Sequence, residues 1–304
     1  MTMDDGETEK DELWETLKFT SQDGLQLSAR IYENQKSNWS PIVCLPGLTR
    51  NASDFDELAT YFSRHKHRPR QVISLDYRGR GASEYDPNPQ NYTPLVEIQD
   101  ILAALVSMNI EKAIFLGTSR GGILAMILAV LRPGIIAGTI LNDIGPEIDV
   151  SGLARLKTYI GHDHPVEKWQ DAIALVKLIH GRFFPDLTEE DWDKFARTTF
   201  EKQGKVIKSS YDPRLARMLD GIESDATPPT LWAQYRCLSR FPVLAIRGGL
   251  SDILSEAVFE RMYEENQNME SITVERQGHA PLLSSPKLLN RISGFVSRVD
   301  DQLE

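Results

Sequence analysis

The 304-residue chain has only two cysteines, Cys44 and Cys237, which are too few for a disulfide framework or a cysteine metal cluster. Positive charge is also scarce, because 44 acidic residues against 34 Lys and Arg give a formal net charge of −10. No basic run with interleaved aromatic residues is present, so the composition argues against nucleic-acid binding. Cys44 lies in an apolar run, which favours a small buried residue over a nucleophile.

Long apolar runs are absent as well. No stretch is long and apolar enough to span a bilayer, so we expect no membrane span. The first seven residues are acidic and polar, whereas a secretory signal has a basic end and an apolar middle. We therefore expect a cytoplasmic protein, in which the acidic residues 1–12 are disordered.

The strongest positive signal is the segment 113–122, Ala-Ile-Phe-Leu-Gly-Thr-Ser-Arg-Gly-Gly. Its first four residues have the composition of a buried strand, and the next five form a Gly-x-Ser-x-Gly pattern around Ser119. An apolar helical segment follows at once. A serine on such a tight strand-to-helix turn needs small residues two positions before and after it, which Gly117 and Gly121 provide. The pattern therefore predicts that Ser119 is a nucleophile.

On these residues the sequence resembles the α/β-hydrolase superfamily, from about Leu13 to the C-terminus and least specifically in the middle. The resemblance implies the α/β-hydrolase fold, in which helices flank a mostly parallel central sheet. Residues 13–146 and 241–304 would form this core. Between them, residues 147–240 lose their strand signals and show about four amphipathic helical patterns, which predicts an inserted helical cap.

The chain order of the candidate catalytic residues matches this superfamily too. Ser119 is followed by Asp252 after one predicted strand and by His279, in a Gly-His pair, after the next. The resemblance implies that His279 takes the proton of Ser119 and that Asp252 fixes the histidine tautomer. Asp143, at the carboxyl end of an earlier predicted strand, is the second candidate acid. Asp252 is preferred because it lies one strand–helix unit before His279.

Two backbone N–H groups complete the predicted site. A short apolar strand ends at Pro46 and Gly47, and in the superfamily the loop after this strand donates one N–H to the oxyanion. By that alignment the N–H groups of Leu48 and Arg120 form the oxyanion hole. Pro46 stands where superfamily members commonly have a histidine, which matters little because the donor is a backbone group.

The predicted cap contains three histidines, His162, His164 and His180. A zinc site needs a tighter spacing and a carboxylate partner, so we expect these side chains to face solvent. Most of the cap aromatics should form its own core, and a minority should line a pocket over Ser119. The sequence thus predicts neither a metal nor an organic cofactor.

We therefore expect a capped serine esterase of the carboxylesterase type (EC 3.1.1) that acts through an acyl-enzyme on a small-molecule acyl substrate. The resemblance places small or medium acyl esters, lactones and polyester oligomers first. Two alternatives stay open. One is a hydrolase that cleaves a carbon–carbon bond in a diketone, and the other is a ligand-binding receptor on the same fold. Both are compatible with the same triad, because the cap sets the substrate.

Overall fold

A computed structural model describes residues 13–33, 37–162, 164–220 and 229–303 of the chain. The disorder that we expect for residues 1–12 lies outside these described ranges. Within them, no helix has the length and apolar composition needed to cross a membrane.

An eight-stranded sheet forms the centre of the fold. Its strands lie in the order β1-β2-β4-β3-β5-β6-β9-β10, where β1 is Glu15–Thr20, β2 Gln26–Tyr32, β3 Ile42–Leu45, β4 Val72–Asp76, β5 Ala113–Thr118, β6 Ile136–Asn142, β9 Val243–Gly248 and β10 Glu270–Val274. The first two strands form an antiparallel hairpin, and β2 also pairs antiparallel with β4. All later pairs are parallel. This arrangement confirms the predicted, mostly parallel sheet.

Helices cover both faces of the sheet. They are α1 (Asp56–Ser63), α2 (Pro94–Ser107), α3 (Arg120–Leu131), α8 (Glu256–Glu265) and α9 (Pro286–Asp301). Side chains of α2, α3 and α8 share one apolar core with the sheet, whereas α1 and α9 share the other. Strand residues alternate between the two cores, so that Val43 belongs to one and Cys44 to the other. Cys44 is buried, as its apolar surroundings in the sequence predict.

Between β6 and β9 the chain leaves the sheet. This segment contains α4 (Val150–Lys157), α5 (Trp169–His180), α6 (Glu189–Thr199) and α7 (Trp232–Leu238), together with a hairpin of β7 (Phe200–Gln203) and β8 (Val206–Ser209). Helices α5 and α6 and the hairpin share a separate apolar cluster. Helix α7 instead packs into the core that contains α3. The expectation of a helical insertion without strands is therefore wrong at the hairpin, whose turn contains Gly204 with φ +62°.

Candidate active site

Ser119 lies at the sharp turn between β5 and α3. Its backbone has φ 52° and ψ −114°, in the left-handed half of conformational space that costs energy for a residue with a side chain. A Cβ atom on Gly117 would overlap the backbone of Gly121, and one on Gly121 would overlap the carbonyl of Leu45. Both positions therefore require glycine, because β5, α3 and the end of β3 meet there at backbone distance.

We expect Gly121→Ala to lower the free energy of unfolding by about 3 kcal/mol or more, since the new methyl group meets the Leu45 carbonyl, which cannot move away. Gly134→Ala is the matched control, because nothing lies within 4 Å of its added Cβ. Urea unfolding followed by circular dichroism measures both. Equal stability of the two variants would contradict the close approach of Gly121 to the Leu45 carbonyl at the turn between β5 and α3, called the elbow below.

The imidazole of His279 lies between Ser119 and Asp143. Its Nε2 is 2.8 Å from Ser119 Oγ, and its Nδ1 is 2.7 Å from Asp143 Oδ2. Asp143 is buried and accepts two further hydrogen bonds, from the Gly248 N–H and the Ser251 hydroxyl, both at 2.6 Å. These bonds hold the carboxylate in place. The carboxylate in turn sets the tautomer in which Nδ1 carries the proton and Nε2 is free to accept one from Ser119.

Asp252, the preferred acid of the sequence analysis, makes no hydrogen bond to His279. Its carboxylate accepts two hydrogen bonds from Arg155 of α4, at 2.5 and 2.9 Å. Burial alone would raise the pKa of Asp252, but the bonds to Arg155 lower it below its ordinary value. The assignment of Asp252 as the partner of His279 is therefore corrected to Asp143, the second candidate. The physical reason is that Arg155, from the inserted segment, takes both oxygens of Asp252.

The two predicted oxyanion donors belong to residues near Ser119. Arg120 is the first residue of α3, so its N–H has no acceptor within the helix. Leu48 lines the same cavity as Ser119, and a Cβ placed on the preceding Gly47 would be 3.8 Å from the Ser119 Cβ. Their role as an oxyanion hole stays a prediction, and their positions are compatible with it.

A cavity of about 490 Å³ adjoins Ser119 and His279. This volume lies in the range of small-molecule sites. Its apolar walls come largely from the inserted segment, namely Leu156 and Ile160 near α4, Leu175, Val176 and Ile179 of α5, and Phe195 of α6. Charged side chains of α6, Asp191, Lys194 and Arg197, also border it. The cavity is thus able to surround an acyl group next to the serine.

Three histidines of the inserted segment border this cavity, and two of them, His162 and His164, are exposed as the sequence predicts. The third, His180, is more enclosed. Its ring packs against Tyr159 and Phe195, with centroid distances of 5.8 and 5.1 Å. Burial lowers the pKa of His180 to about 3, so the ring is neutral at neutral pH. Its Nδ1 is shut off from solvent and has no hydrogen-bond partner among the described residues. The expectation that the cap histidines face solvent is therefore wrong for His180. In the described ranges, no cluster of three or more His, Cys, Asp or Glu is arranged to hold a metal ion.

Comparison with known proteins agrees with the fold described above. Residues 42–292 match the model of a family described as the Alpha/beta hydrolase family. The crystal structure of an alpha/beta hydrolase from Novosphingobium aromaticivorans is 35% identical to this chain, with a TM-score of 0.87, and the match covers 94% of this chain and 99% of that one.

Two curated relatives carry the names of ester-cleaving enzymes. The 3-hydroxybutyrate-oligomer hydrolase of Cupriavidus necator is 29% identical over 252 residues, which are 81% of this chain and 84% of the relative. The esterase Rv0045c of Mycobacterium tuberculosis is 24% identical, over 83% of this chain and 80% of the relative. These similarities support a hydrolase that acts on ester bonds.

Proposed function

Because the chain belongs to the alpha/beta hydrolase family, we propose that it is a serine hydrolase that cleaves carboxylic esters through an acyl-enzyme. One observation carries the proposal: His279 makes hydrogen bonds to Ser119 on one side and to Asp143 on the other. This arrangement borders a cavity that is large enough for a small ligand. A nucleophile, a base and an orienting acid are the three groups that acyl transfer needs.

In the proposed mechanism, Ser119 Oγ attacks the acyl carbon while His279 Nε2 takes the hydroxyl proton. The oxyanion accepts hydrogen bonds from the N–H groups of Leu48 and Arg120, each of which contributes about 3 kcal/mol to transition-state stabilisation. The imidazolium then gives its proton to the leaving alcohol, which departs and leaves the acyl group on Ser119. Water enters, its oxygen attacks the acyl carbon while His279 takes one of its protons, and the imidazolium returns that proton to Ser119 Oγ as the acid leaves. Asp143 stabilises the imidazolium in both half-reactions.

The preferred acyl chain is inferred from the cavity and from one relative together. The volume of about 490 Å³ and the apolar walls of the cavity suit an apolar acyl group. The relative from Cupriavidus necator is named for 3-hydroxybutyrate oligomers, which are esters of a short hydroxy acid. We therefore place short-chain esters and oligomers of short hydroxy acids first among the candidate substrates.

Hydrolysis of p-nitrophenyl esters, from the acetate to the laurate, tests the proposal. We expect turnover of the short and medium esters, with the highest kcat/KM of the series among them. Hydrolysis of a 3-hydroxybutanoate dimer, followed in a pH-stat, extends the series to oligomers. Turnover of a ring-cleavage diketone without turnover of any ester would contradict the proposal, and so would stabilisation by a bound ester without turnover.

A further inference from the structure

We propose that Glu97, a buried carboxylate of α2, is a positioning residue that holds both halves of the oxyanion hole. The inference rests on the proposed function, because it concerns the two N–H donors, Leu48 and Arg120. Glu97 is 0% exposed and contacts two arginines. One of them is Arg120, whose own backbone N–H is one of the two donors. The other is Arg80, which donates a hydrogen bond to the carbonyl of Leu48, the residue with the second donor.

The first contact fixes the start of α3. Arg120 Nε donates a hydrogen bond to Glu97 Oε2 at 2.8 Å, and its Nη2 lies 2.7 Å from the same oxygen as an ion pair. The side chain of Arg120 is only 12% exposed, so water screens this pair weakly. Glu97 therefore restrains Arg120, the residue directly after Ser119, whose backbone N–H is one of the two donors.

The second contact fixes the loop after β3. Arg80 Nη2 lies 2.9 Å from Glu97 Oε1 as an ion pair, and Arg80 Nε donates a hydrogen bond to the Leu48 carbonyl at 2.8 Å. Burial lowers the pKa of Arg80, and the negative charge of Glu97 opposes that shift. Glu97 thus keeps the charged guanidinium of Arg80 hydrogen-bonded to the carbonyl of Leu48. The N–H of Leu48 is the one that would bind the oxyanion.

A neighbouring carboxylate offers a matched control. Asp100 lies one turn further along α2, is 3% exposed, and binds Arg78 with two hydrogen bonds of 2.7 Å. Arg78 also pairs with Asp23 and Asp86, and none of these contacts reaches Leu48 or Arg120. Asp100 and Glu97 are therefore alike in helix, burial and partner type. They differ because Glu97 contacts Arg80 and Arg120 directly, whereas Asp100 is connected to Arg80 only through the Arg78 carbonyl, which accepts a hydrogen bond from Arg80 Nη1 at 2.8 Å.

The test compares Glu97→Gln with Asp100→Asn in the full chain. Glutamine keeps the shape but removes the charge, and its amide group turns a donor towards one of the two guanidinium groups. We expect Glu97→Gln to lower kcat for p-nitrophenyl butanoate about 30-fold with KM within about threefold, since a displaced N–H acts mainly on the transition state. Asp100→Asn should keep kcat within about threefold, while thermal unfolding reports a comparable loss of stability for both.

A second readout separates positioning from general loosening. The affinity for a butyl trifluoromethyl ketone, which forms a tetrahedral adduct on the serine, should fall in Glu97→Gln by the same factor as kcat/KM. Equal losses of kcat in both variants, or wild-type kcat in Glu97→Gln, would overturn the proposal.

Arg80→Lys carries the test if Glu97→Gln does not fold. Lysine keeps the positive charge beside Glu97 but removes the Nε–H that holds the Leu48 carbonyl, so kcat should again fall with KM little changed. Unchanged kcat in Arg80→Lys would overturn the proposal. A wild-type chain without ester turnover would overturn the proposed function together with this inference, and that outcome is recognised before any variant is made.

Discussion

Replacing Ser119 with alanine is expected to lower kcat for p-nitrophenyl ester hydrolysis by about 10⁶-fold. The loss is this large because no acyl-enzyme forms without Oγ, and His279 then has no hydroxyl to deprotonate. The residual rate over water would come from the oxyanion hole and from binding. Initial rates with wild-type enzyme and variant, prepared side by side, measure the effect.

The fold should tolerate this change. Alanine keeps the Cβ of serine, and the only hydrogen bond of the Ser119 hydroxyl in the described part of the chain is the one to His279. The midpoint of thermal unfolding should therefore stay close to that of the wild type. Ester turnover that survives in a folded Ser119→Ala variant would mean that another group is the nucleophile.

The second large effect is expected for Asp143→Asn, which should lower kcat by about 10⁴-fold. The amide nitrogen of asparagine turns a donor towards His279 Nδ1 and favours the tautomer in which Nε2 carries the proton. That tautomer cannot accept the Ser119 proton. The loss should appear in kcat at neutral pH, with KM for p-nitrophenyl butanoate little changed.

Asp252→Asn is the control for this prediction. It removes the charge that pairs with Arg155 and leaves the Asp143–His279 contact in place, so we expect kcat within about tenfold of the wild type. Its main effect should be a lower stability of the contact between α4 and the loop after β9, since a largely buried arginine loses its partner. A larger loss of kcat in Asp252→Asn than in Asp143→Asn would return the acid role to Asp252.

The elbow was predictable from sequence because its causes are local. An apolar strand, a serine between two glycines and an apolar helix lie within about 20 residues, and the steric reason for both glycines is the close approach of their neighbours. The mostly parallel sheet was expected from the resemblance to the α/β-hydrolase superfamily. Neither inference needed contacts between distant parts of the chain.

The choice between Asp143 and Asp252 was not predictable, because it depends on contacts between segments that are distant in sequence. Both lie just after strands at the carboxyl edge of the sheet, so pattern and chain order allow either. Arg155 lies 97 positions from Asp252 and reaches it only when α4 folds back over the sheet. No spacing rule in the sequence reports such a contact.

The β7–β8 hairpin and the contacts of Glu97 with Arg80 and Arg120 were not predicted, for related reasons. Strand β7 reads Phe-Glu-Lys-Gln and is mostly exposed, so it lacks the apolar alternation that marks a half-buried strand. Glu97 lies within an apolar helical pattern, where an acidic residue is ordinarily exposed to solvent. Its burial depends on Arg80 and Arg120, which arrive from two other segments.

The most direct test of the proposed chemistry is the site of covalent labelling by a fluorophosphonate. After treatment of the folded wild-type chain, digestion and mass spectrometry should find one added phosphonyl group, on the peptide that contains Ser119, and prior incubation with p-nitrophenyl butanoate should slow its appearance. The Ser119→Ala variant should stay unlabelled. A label on a different residue, or a folded wild-type chain that hydrolyses esters yet stays unlabelled, would contradict Ser119 as the nucleophile.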